Sequence, residues 1–447
     1  MTTTAVRPIP SNPDPIWMRA YRGIFWDRIK LLKRTGSRDP NIVSTTLGER
    51  ELVLINRPEY IHEVLVEQAD KFHKSKEFKF YVKPLLGNGL LLSEGEEHKR
   101  NRRLVAPAFI HRRIRDYAEV MTEYTSRIIS EWKDGEVIDI SREMMRITLA
   151  IAGKTLFGSE VGGEADEIKQ KLTFLNRYAD EQLRIPIHVP LSWPTPRNNR
   201  VRSAIATLDA IIYRMIAERR ASTTDTGDLL SILLLARDED DGGGMTDKQV
   251  RDEAMTIFLA GHETTSNGMS WMWYLLAQHP DIQSRLQAEV RALGSKRIAL
   301  EDLPRLPYAL QVFKEALRLY PPAYILTRTP TEDVFIDGYR IKKGAIVMIS
   351  PYLLHRKEEN FPEPEKFDPD RFSAENEKSI PRQAYLPFGA GPRVCIGNQF
   401  ALIEAHLATA MVAQQFSMEL ADSEPVEMEP LITLRPKGGV RVRLKHL

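Results

Sequence analysis

The feature that most constrains this chain is one long apolar helix in its second half. Thr246, followed three residues later by Gln249, forms the pattern of a capping box and predicts the start of a helix. Asp247 suits the positive end of the helix dipole. Apolar residues continue to about Ala277, and Pro280 follows. A helix of about thirty residues is far longer than the mean of about eleven or twelve. Because it is apolar on most faces, we expect it to cross a large core.

The centre of this helix contains residues that reduce helix stability. Residues 260–265 read AGHETT. A glycine inside a helix costs about 1 kcal/mol relative to alanine, and a buried carboxylate such as Glu263 is costly without a partner. Thr264 can hydrogen-bond back to a carbonyl one turn earlier and bend the helix. The segment is either a helix edge facing solvent or a functional site, where such violations of local rules are expected.

Cys395 is the only cysteine in the 447 residues, and it lies in the segment FGAGPRVCIG. A single thiol forms no internal disulfide and builds no multi-cysteine zinc or iron–sulfur site. Gly389 lets the backbone turn tightly and a flat, bulky group approach the sulfur, and Arg393 favours the thiolate. Most lone cysteines are small buried hydrophobes. A thiolate with cleared surroundings is instead suited to axial ligation of a haem iron.

The cysteine segment resembles the haem-binding loop of the cytochrome P-450 family, whose pattern is F-x-x-G-x-R-x-C-x-G. The positions that match are Phe388, Gly391, Arg393, Cys395 and Gly397. The resemblance implies that Cys395 binds the iron of haem b, iron protoporphyrin IX, as an axial thiolate. It also implies that the loop residues around it contact the haem.

The AGHETT segment resembles the oxygen-activating motif of the same family, A/G-G-x-D/E-T-T. Ala260 and Gly261 are small, which leaves room for a gas-sized ligand beside a haem. The resemblance implies that Thr264 positions water or oxygen by a hydrogen bond and that Glu263 relays protons. Thr264 and Glu263 are therefore the candidate catalytic residues.

Glu315 and Arg318 lie three residues apart on one face of a predicted helix. Such pairs are usually solvated and contribute at most about 1 kcal/mol. About fifty residues later, the segment FDPDRF contains Arg371. The arrangement resembles the family's E-x-x-R helix followed by a P-x-R-F segment. That resemblance implies a buried structural triad of Glu315, Arg318 and Arg371.

Haem carries two propionates, so its site should supply cations from several segments. His98 and Arg102 lie four residues apart, which is one helical turn. The resemblance implies that His98, Arg102, Arg328 and Arg393 are the propionate partners, and family members carry either tryptophan or histidine at the position of His98. Each of the arginines could equally be an ordinary surface cation.

Residues 98–115 contain seven lysines or arginines and no acid. Such a run is commonly a solvated helix face or a nucleic-acid patch. Little aromatic interleaving and a net charge of only +2 argue against nucleic acid. We expect a docking surface for an acidic electron donor of the ferredoxin or flavodoxin type. Complementary charge would accelerate the association of that donor with this surface. The predicted surface residues are Lys99, Arg100, Arg103, Arg112 and Arg113.

The composition, 42% hydrophobic and 28% charged, is that of a soluble globular protein. No linker or repeat divides the chain, and the acidic stretch 238–244 is short enough to join two helices. We predict a single domain over 1–447, with a flexible N-terminus at 1–20 and no reductase domain. No early segment has the long uncharged apolar run of a signal peptide or membrane span. Scarce cysteine fits a reducing compartment, and we expect a cytoplasmic monomer.

Helices dominate the sequence pattern, and short strands are predicted at 46–55, 334–341, 345–349 and 440–444. The expected fold class is mainly α, or α+β, with a small sheet beside a helical body. The resemblance implies the same layout. It places a haem between the long helix and the cysteine loop.

We therefore expect a soluble, bacterial-type monooxygenase that inserts one oxygen atom of O2 into a C–H bond. One alternative is a peroxide-driven hydroxylase, which needs no redox partner. Another is a haem-based gas sensor or ligand-binding protein, which needs no proton relay and usually has an output domain. The Glu263–Thr264 pair favours the monooxygenase.

The expected pocket segments are mostly apolar, with Tyr81, Tyr178 and Tyr324 as polar tips. These segments are the loop 72–92 and residues 172–194, 257–260, 323–326 and 430–434. They predict a hydrophobic substrate such as a fatty acid, terpenoid or steroid. General similarity to fatty-acid-hydroxylating relatives favours a fatty acid.

Overall fold

A computed structural model describes residues 7–11, 28–36, 39, 41–47, 50–158, 165–184, 189–221, 227–238, 242–294 and 297–447. Its helices are α1 (Arg28–Gly36), α2 (Pro58–His62), α3 (Lys76–Leu86), α4 (Gly95–Val105), α5 (His111–Ile129), α6 (Ile140–Phe157), α7 (Ala165–Arg184), α8 (Pro196–Ala221), α9 (Leu229–Leu235), α10 (Asp247–Gln278), α11 (Pro280–Ala292), α12 (Pro307–Leu319), α13 (Pro351–Leu354) and α14 (Asn398–Gln415). Its strands are β1 (Ile42–Leu47), β2 (Arg50–Ile55), β3 (Phe72–His73), β4 (Val137–Asp139), β5 (Leu326–Pro330), β6 (Val334–Ile336), β7 (Tyr339–Ile341), β8 (Ile346–Ile349), β9 (Phe416–Leu420), β10 (Met428–Pro430), β11 (Leu434–Pro436) and β12 (Arg441–His446).

The helical body stands beside small sheets, so the predicted mainly α fold is confirmed. One sheet has five strands in the order β1-β2-β8-β5-β3, with β2 parallel to β8 and the other neighbours antiparallel. A second sheet has the order β4-β12-β9, and β6-β7 and β10-β11 are two-stranded. The strand predicted at 334–341 is a hairpin, because Asp337 and Gly338 both adopt positive φ angles, 45° and 79°.

The long helix is α10, 32 residues from Asp247 to Gln278. Its capping box is formed as predicted: the Gln249 amide donates to the Thr246 hydroxyl at 3.3 Å, and the Thr246 amide donates to Gln249 Oε1 at 2.9 Å. The helix crosses the core, where Trp271 and Trp273 are fully buried. No helix among the described residues is long and apolar enough to cross a membrane.

Most of the N-terminus predicted to be flexible, residues 1–20, lies outside the described residues. Residues 7–11 are described, and they lie against the sheets. The Arg7 amide donates to the Gly338 carbonyl at 2.9 Å, and the Ser44 amide donates to the Pro10 carbonyl at 2.8 Å. The acidic stretch 238–244 connects α9 to α10, as predicted, although residues 239–241 are not described.

Candidate functional site

The packing around helix α10 is interrupted at its centre, and we call the space beside Ala260 and Gly261 the recess. Ile257, Phe258 and Leu259 are buried, whereas the next residue, Ala260, is exposed. A side-chain carbon placed on Gly261 would meet nothing within 4 Å. Small residues here therefore leave space along one face of a helix that is otherwise packed.

Thr264 makes the back-bond that its sequence context predicts. Its hydroxyl donates to the Ala260 carbonyl at 2.7 Å, and the Thr265 hydroxyl donates to the Gly261 carbonyl at 3.0 Å. Thr265 is buried, whereas Thr264 is only half-buried. The Thr264 hydrogen is thus committed to the helix, and the hydroxyl oxygen can still accept a hydrogen bond.

Glu263 is held by side chains from two distant segments. Its Oε1 accepts from the Thr433 hydroxyl at 2.8 Å, and its Oε2 accepts from the Asn176 amide of α7. The Thr433 oxygen in turn accepts from Asn267 at 3.1 Å. Burial raises the pKa of Glu263, and the Thr433 bond, the charge of Arg435 and the Asn176 bond partly oppose that rise. Sequence reasoning missed these partners.

The cysteine loop is shaped by close backbone contacts. The Cys395 amide donates to the Phe388 carbonyl at 2.9 Å. Gly391 has a φ of 67°, and a side-chain carbon there would lie 1.8 Å from the Leu65 carbonyl oxygen, so only glycine fits. Phe388, Gly389 and Gly397 lie in this loop as the sequence places them.

Cys395 is exposed by surface area, yet burial raises the pKa of its thiol. The two observations agree if the sulfur opens into a recess walled by protein rather than onto the outer surface. A hydrogen bond to the Gly397 backbone and the charge of Arg102 act in the opposite direction and favour the thiolate. Arg102 also donates to the carbonyl of Val394 at 2.9 Å.

The four residues predicted to bind the propionates lie close enough to interact electrostatically. Desolvation, followed by the charges of Arg393 and Arg102, lowers the pKa of His98 to about 4. Desolvation and the charge of Arg393 lower the pKa of Arg328 to about 10. His98, Arg102, Arg328 and Arg393 thus form one cluster drawn from three segments of the chain.

Lys74 is a further member of this cluster, which sequence reasoning missed. Desolvation, and then the charges of Arg328 and Arg393, lower the pKa of Lys74 to about 7. Glu94 is the acid among these cations: it pairs with Arg393, and its Oε1 lies 3.0 Å from Lys79 Nζ. Desolvation raises the pKa of Glu94, but its bonds to the Lys74 amide, Lys79 and Arg393 lower it overall.

The residues around Cys395 fit a haem. Several crowded cations with a single neighbouring carboxylate depress one another's pKa values, and a dianion would relieve that repulsion. A lone thiol, a loop kept clear by glycines and a helix with small residues at its centre match the other requirements of the group.

The predicted triad is present, although its third member is more loosely bound. Glu315 and Arg318 are fully buried and joined by two hydrogen bonds of 2.7 and 2.8 Å. Arg371 Nε lies 3.4 Å from Glu315 Oε1 without hydrogen-bond geometry. Burial raises the pKa of Glu315, and Arg318 opposes this most strongly.

His355 connects this pair to the cysteine loop, and sequence reasoning missed it. Its Nε2 accepts from the Leu386 amide at 2.8 Å, so Nδ1 carries the hydrogen that reaches the Arg318 carbonyl at 3.1 Å. Burial lowers the pKa of His355 to about 3, which keeps the ring neutral. Leu386 lies two residues before Phe388, the first residue of the cysteine segment.

The basic run divides into two groups. Arg100 and Arg103 both reach the buried Asp238, at 3.4 and 3.2 Å. Lys99 pairs with the exposed Glu96 at 2.7 Å. Arg112 is exposed, and Arg113 lies 4.0 Å from Asp116. Through Asp238, Arg100 and Arg103 therefore connect α4 to the segment before α10. This structural role is independent of any role in docking an electron donor.

The pocket segments differ in detail from the expectation. Residues 72–92 are not a loop, because 76–86 form α3. The Tyr324 hydroxyl is buried and donates to the Leu431 carbonyl at 2.8 Å, so it is not a free polar tip. Arg197 stacks over the Tyr178 ring at 5.2 Å. The Tyr81 side chain and residues 185–188 lie outside the described part of the chain.

Comparisons with known proteins identify the family and the fold of the chain. A sequence model of the family described as Cytochrome P450 matches residues 10–442. The chain is 40% identical over 397 residues, 88% of its length and 86% of the relative, to cyclooctatin synthase of Streptomyces melanosporofaciens. It is 35% identical over 380 residues, 85% and 82% of the two chains, to cyclooctat-9-en-7-ol 5-monooxygenase of the same organism. The crystal structure of the cytochrome P450DA heme domain superposes with a TM-score of 0.90 at 26% identity, covering 99% and 98% of the two chains.

Proposed function

Because this chain belongs to the cytochrome P450 family, we propose that it inserts one oxygen atom of O2 into a C–H bond of a hydrophobic cyclic substrate. The chain is a P450 monooxygenase, and members of this family combine a substrate, O2 and electrons from a redox partner. The finer assignments below name the residues, the substrate class and the partner.

The observation that carries the proposal is the crowding of cations beside the single thiol. Arg102 acts on Cys395 and on His98, and Arg393 acts on His98, Arg328 and Lys74. Such a cluster suits the two propionates of a haem whose iron is bound by Cys395. With Cys395 taken as the ligand, no cysteine remains for thioether attachment of the porphyrin, which agrees with haem b as the cofactor we propose.

The haem supplies the oxygen-activating chemistry, with its electronics set by the thiolate. The protein's own contribution is to move protons and exclude water. Glu263 is held near the recess, and its raised pKa suits a group that holds and releases a proton. Thr264 keeps its oxygen toward the recess as a hydrogen-bond acceptor. Ala260 and Gly261 are small and leave the recess open.

The substrate we propose is a cyclic alkene or alkenol. Among the fatty acids, terpenoids and steroids expected from the sequence, this choice corresponds to the terpenoids. The recess is bordered by Ala260, and the surrounding pocket segments are largely apolar. One relative is named for oxygenation of cyclooctat-9-en-7-ol, an unsaturated alcohol. The apolar segments suit either class, and the name of this relative favours a carbocyclic skeleton over the fatty acid that sequence similarity suggested.

The electron donor we propose is a ferredoxin or flavodoxin that docks near the exposed Arg112. Lys99, Arg100, Arg103 and Arg113 contribute positive potential around that point, even where they also pair with acids. Such steering accelerates association and weakens with salt. The proposal includes a cytoplasmic, monomeric protein.

The haem-loaded protein should be titrated with cyclic alkenols, medium-chain and long-chain fatty acids and steroids while the Soret band is followed. We expect cyclic alkenols to give the largest shift, and turnover with a ferredoxin system under ¹⁸O2 to place one labelled atom in the product. A response to fatty acids alone would overturn the substrate class. Faster turnover with peroxide than with ferredoxin and O2 would favour the peroxide-driven hydroxylase.

A further inference from the structure

The loop of residues 87–93, which we call the clamp loop, is fastened to α10 by two acids. The Asn88 amide donates to Asp252 Oδ2 at 2.9 Å, and the Leu90 amide donates to Glu253 Oε2 at 2.9 Å. The approach is close: a side-chain carbon on Gly89 would lie 2.4 Å from Thr256 Oγ1. The clamp loop therefore rests directly on the first half of α10.

The other side of the clamp loop meets the cysteine segment. Arg393 Nη1 donates to the Leu90 carbonyl at 3.4 Å. The peptide groups of Leu90 thus connect an acid of α10 to an arginine two residues before Cys395.

Two buried oxygen atoms near this contact have no hydrogen-bond partner among the described residues. They are Oε1 of Glu253, a residue 1% exposed, and Oδ1 of Asn101, a residue 2% exposed. The Asn101 side chain contacts the Glu253 carboxyl as a donor, and this contact favours the carboxylate. The orphan Oε1 and the burial of the residue act in the opposite direction.

The burial of Glu253 disfavours its carboxylate. An ionised Glu253 would hold a charged oxygen, Oε1, without a hydrogen-bond partner in a residue that is 1% exposed, and burying an unpaired charge costs more than burying a neutral group. Protonation removes that charge, while Oε2 still accepts from the Leu90 amide.

The charges around Glu253 also favour the neutral acid. Burial and, to a smaller extent, the charges of Asp252 and Glu97 raise its pKa to about 7, against the opposing bonds from Leu90 and Asn101. Asp252 itself is paired with Lys248 at 2.8 Å and with Arg251 at 3.0 Å. Glu97 is exposed and accepts from Asn88 at 2.6 Å.

We infer that Glu253 is a positioning residue that fastens the clamp loop to α10 as a neutral carboxylic acid, so that the loop loosens when Glu253 ionises. The consequence for substrate rests on the proposed function, because it takes the clamp loop as a wall of the pocket. Ionisation would then speed substrate exchange without altering the haem ligand.

The direction of the pH effect follows from linkage. In the open loop Glu253 would be solvated and its pKa would return toward the ordinary value of 4.5. The closed loop therefore binds a proton more tightly than the open one. Closure is strongest in acid, weakens as pH rises from about 4.5 to 7, and is constant above that range.

Hydrogen exchange at residues 88–93 measures the loop itself. In the full chain as purified, we expect protection, corrected for intrinsic exchange rates, to fall roughly tenfold or more between pH 5.5 and 8. Glu253→Gln imitates the neutral acid, so this variant should keep high protection at both pH values. Hydrogen exchange needs neither substrate nor turnover, so a negative result would overturn this inference and leave the proposed function unaffected.

Glu289→Gln is the matched control. Glu289 is another partly buried acid with a raised pKa, and it accepts from the Tyr308 and Ala309 amides at 2.8 and 3.0 Å, in a different part of the fold. It should leave the clamp loop's pH dependence intact. Wild-type protection that is constant from pH 5.5 to 8, or an unchanged pH dependence in Glu253→Gln, would overturn the inference.

Discussion

The hydroxyl of Thr433 donates to Glu263 Oε1 across 2.8 Å and joins the β10–β11 turn to the centre of α10. This bond stabilises the carboxylate of Glu263 against a burial that disfavours it. The acid proposed to deliver protons is therefore controlled from a segment 170 residues away in sequence.

Replacing Thr433 with valine should raise the pKa of Glu263 further, because one donor to the carboxylate is lost. A hydrogen bond to a charged group is worth about 1.5–3 kcal/mol, or about one to two pH units. The alkaline side of the pH profile of coupled turnover should move up by about one unit. Thr155→Val, which removes a buried hydroxyl bonded to the Ile151 carbonyl, is the control. A profile that stays in place, or moves toward acid, would contradict the role of Glu263.

Replacing Thr264 with alanine should uncouple oxygen use from product formation. The recess would lose its acceptor oxygen, so consumed O2 should appear as peroxide rather than product. Product and peroxide per O2 consumed are the quantities to measure. Thr265→Ala is the matched control, because Thr265 makes the same type of back-bond but is buried and contacts Glu404. Equal coupling in the two variants would remove the assigned role from Thr264.

Replacing Arg318 with methionine should destabilise the fold severely. The change leaves Glu315 without its partner in a fully buried site, at a cost of about 3–5 kcal/mol. Arg285→Met breaks a bidentate pair with Asp370 at the surface, where the side chains are 55% and 47% exposed. That loss should be at most about 1 kcal/mol. Urea unfolding measures the free energy of unfolding of both variants. Similar losses would mean that burial does not increase the contribution of the Glu315–Arg318 pair to stability.

Haem retention should depend on Lys74. Desolvation and neighbouring arginines lower its pKa to about 7, whereas nearby propionates would favour its ammonium form. Haem binding should therefore take up a proton above pH 7, and affinity should fall by up to about tenfold per pH unit as pH rises from there. Haem transfer to an acceptor protein, measured from pH 6.5 to 9, tests this. Lys74→Met should remove the added pH dependence. Lys71→Met, which changes a half-buried lysine paired with Glu332, should keep it. Equal slopes in all three proteins would place Lys74 outside the propionate site.

Local patterns predicted much of this molecule. The capping box of Thr246 and Gln249 determines where α10 begins, because both bonds lie within four residues. The cysteine segment and the AGHETT segment are equally local, since backbone shape and small side chains are written in consecutive residues. Glu315 and Arg318 pair within one helical turn.

The contacts that sequence reasoning missed join distant segments. Asn176 reaches Glu263 across 87 residues, and the Leu90 amide reaches Glu253 across 163. No local sequence pattern identifies Asn176 or Lys74, because their roles arise only when the fold brings them to the site. Arg103 is exposed, as its charge suggests, and the fold also pairs it with Asp238, 135 residues away, which sequence reasoning missed.

The central claim is that the Cys395 sulfur is the axial ligand of a haem, and the absorption of the reduced, carbon-monoxide-treated protein tests it most directly. Thiolate ligation predicts the characteristic red-shifted Soret band in the wild type and its loss in Cys395→Ser, with haem content and fold checked separately. A folded, haem-containing wild type without that band, or a serine variant that keeps it, would contradict the account.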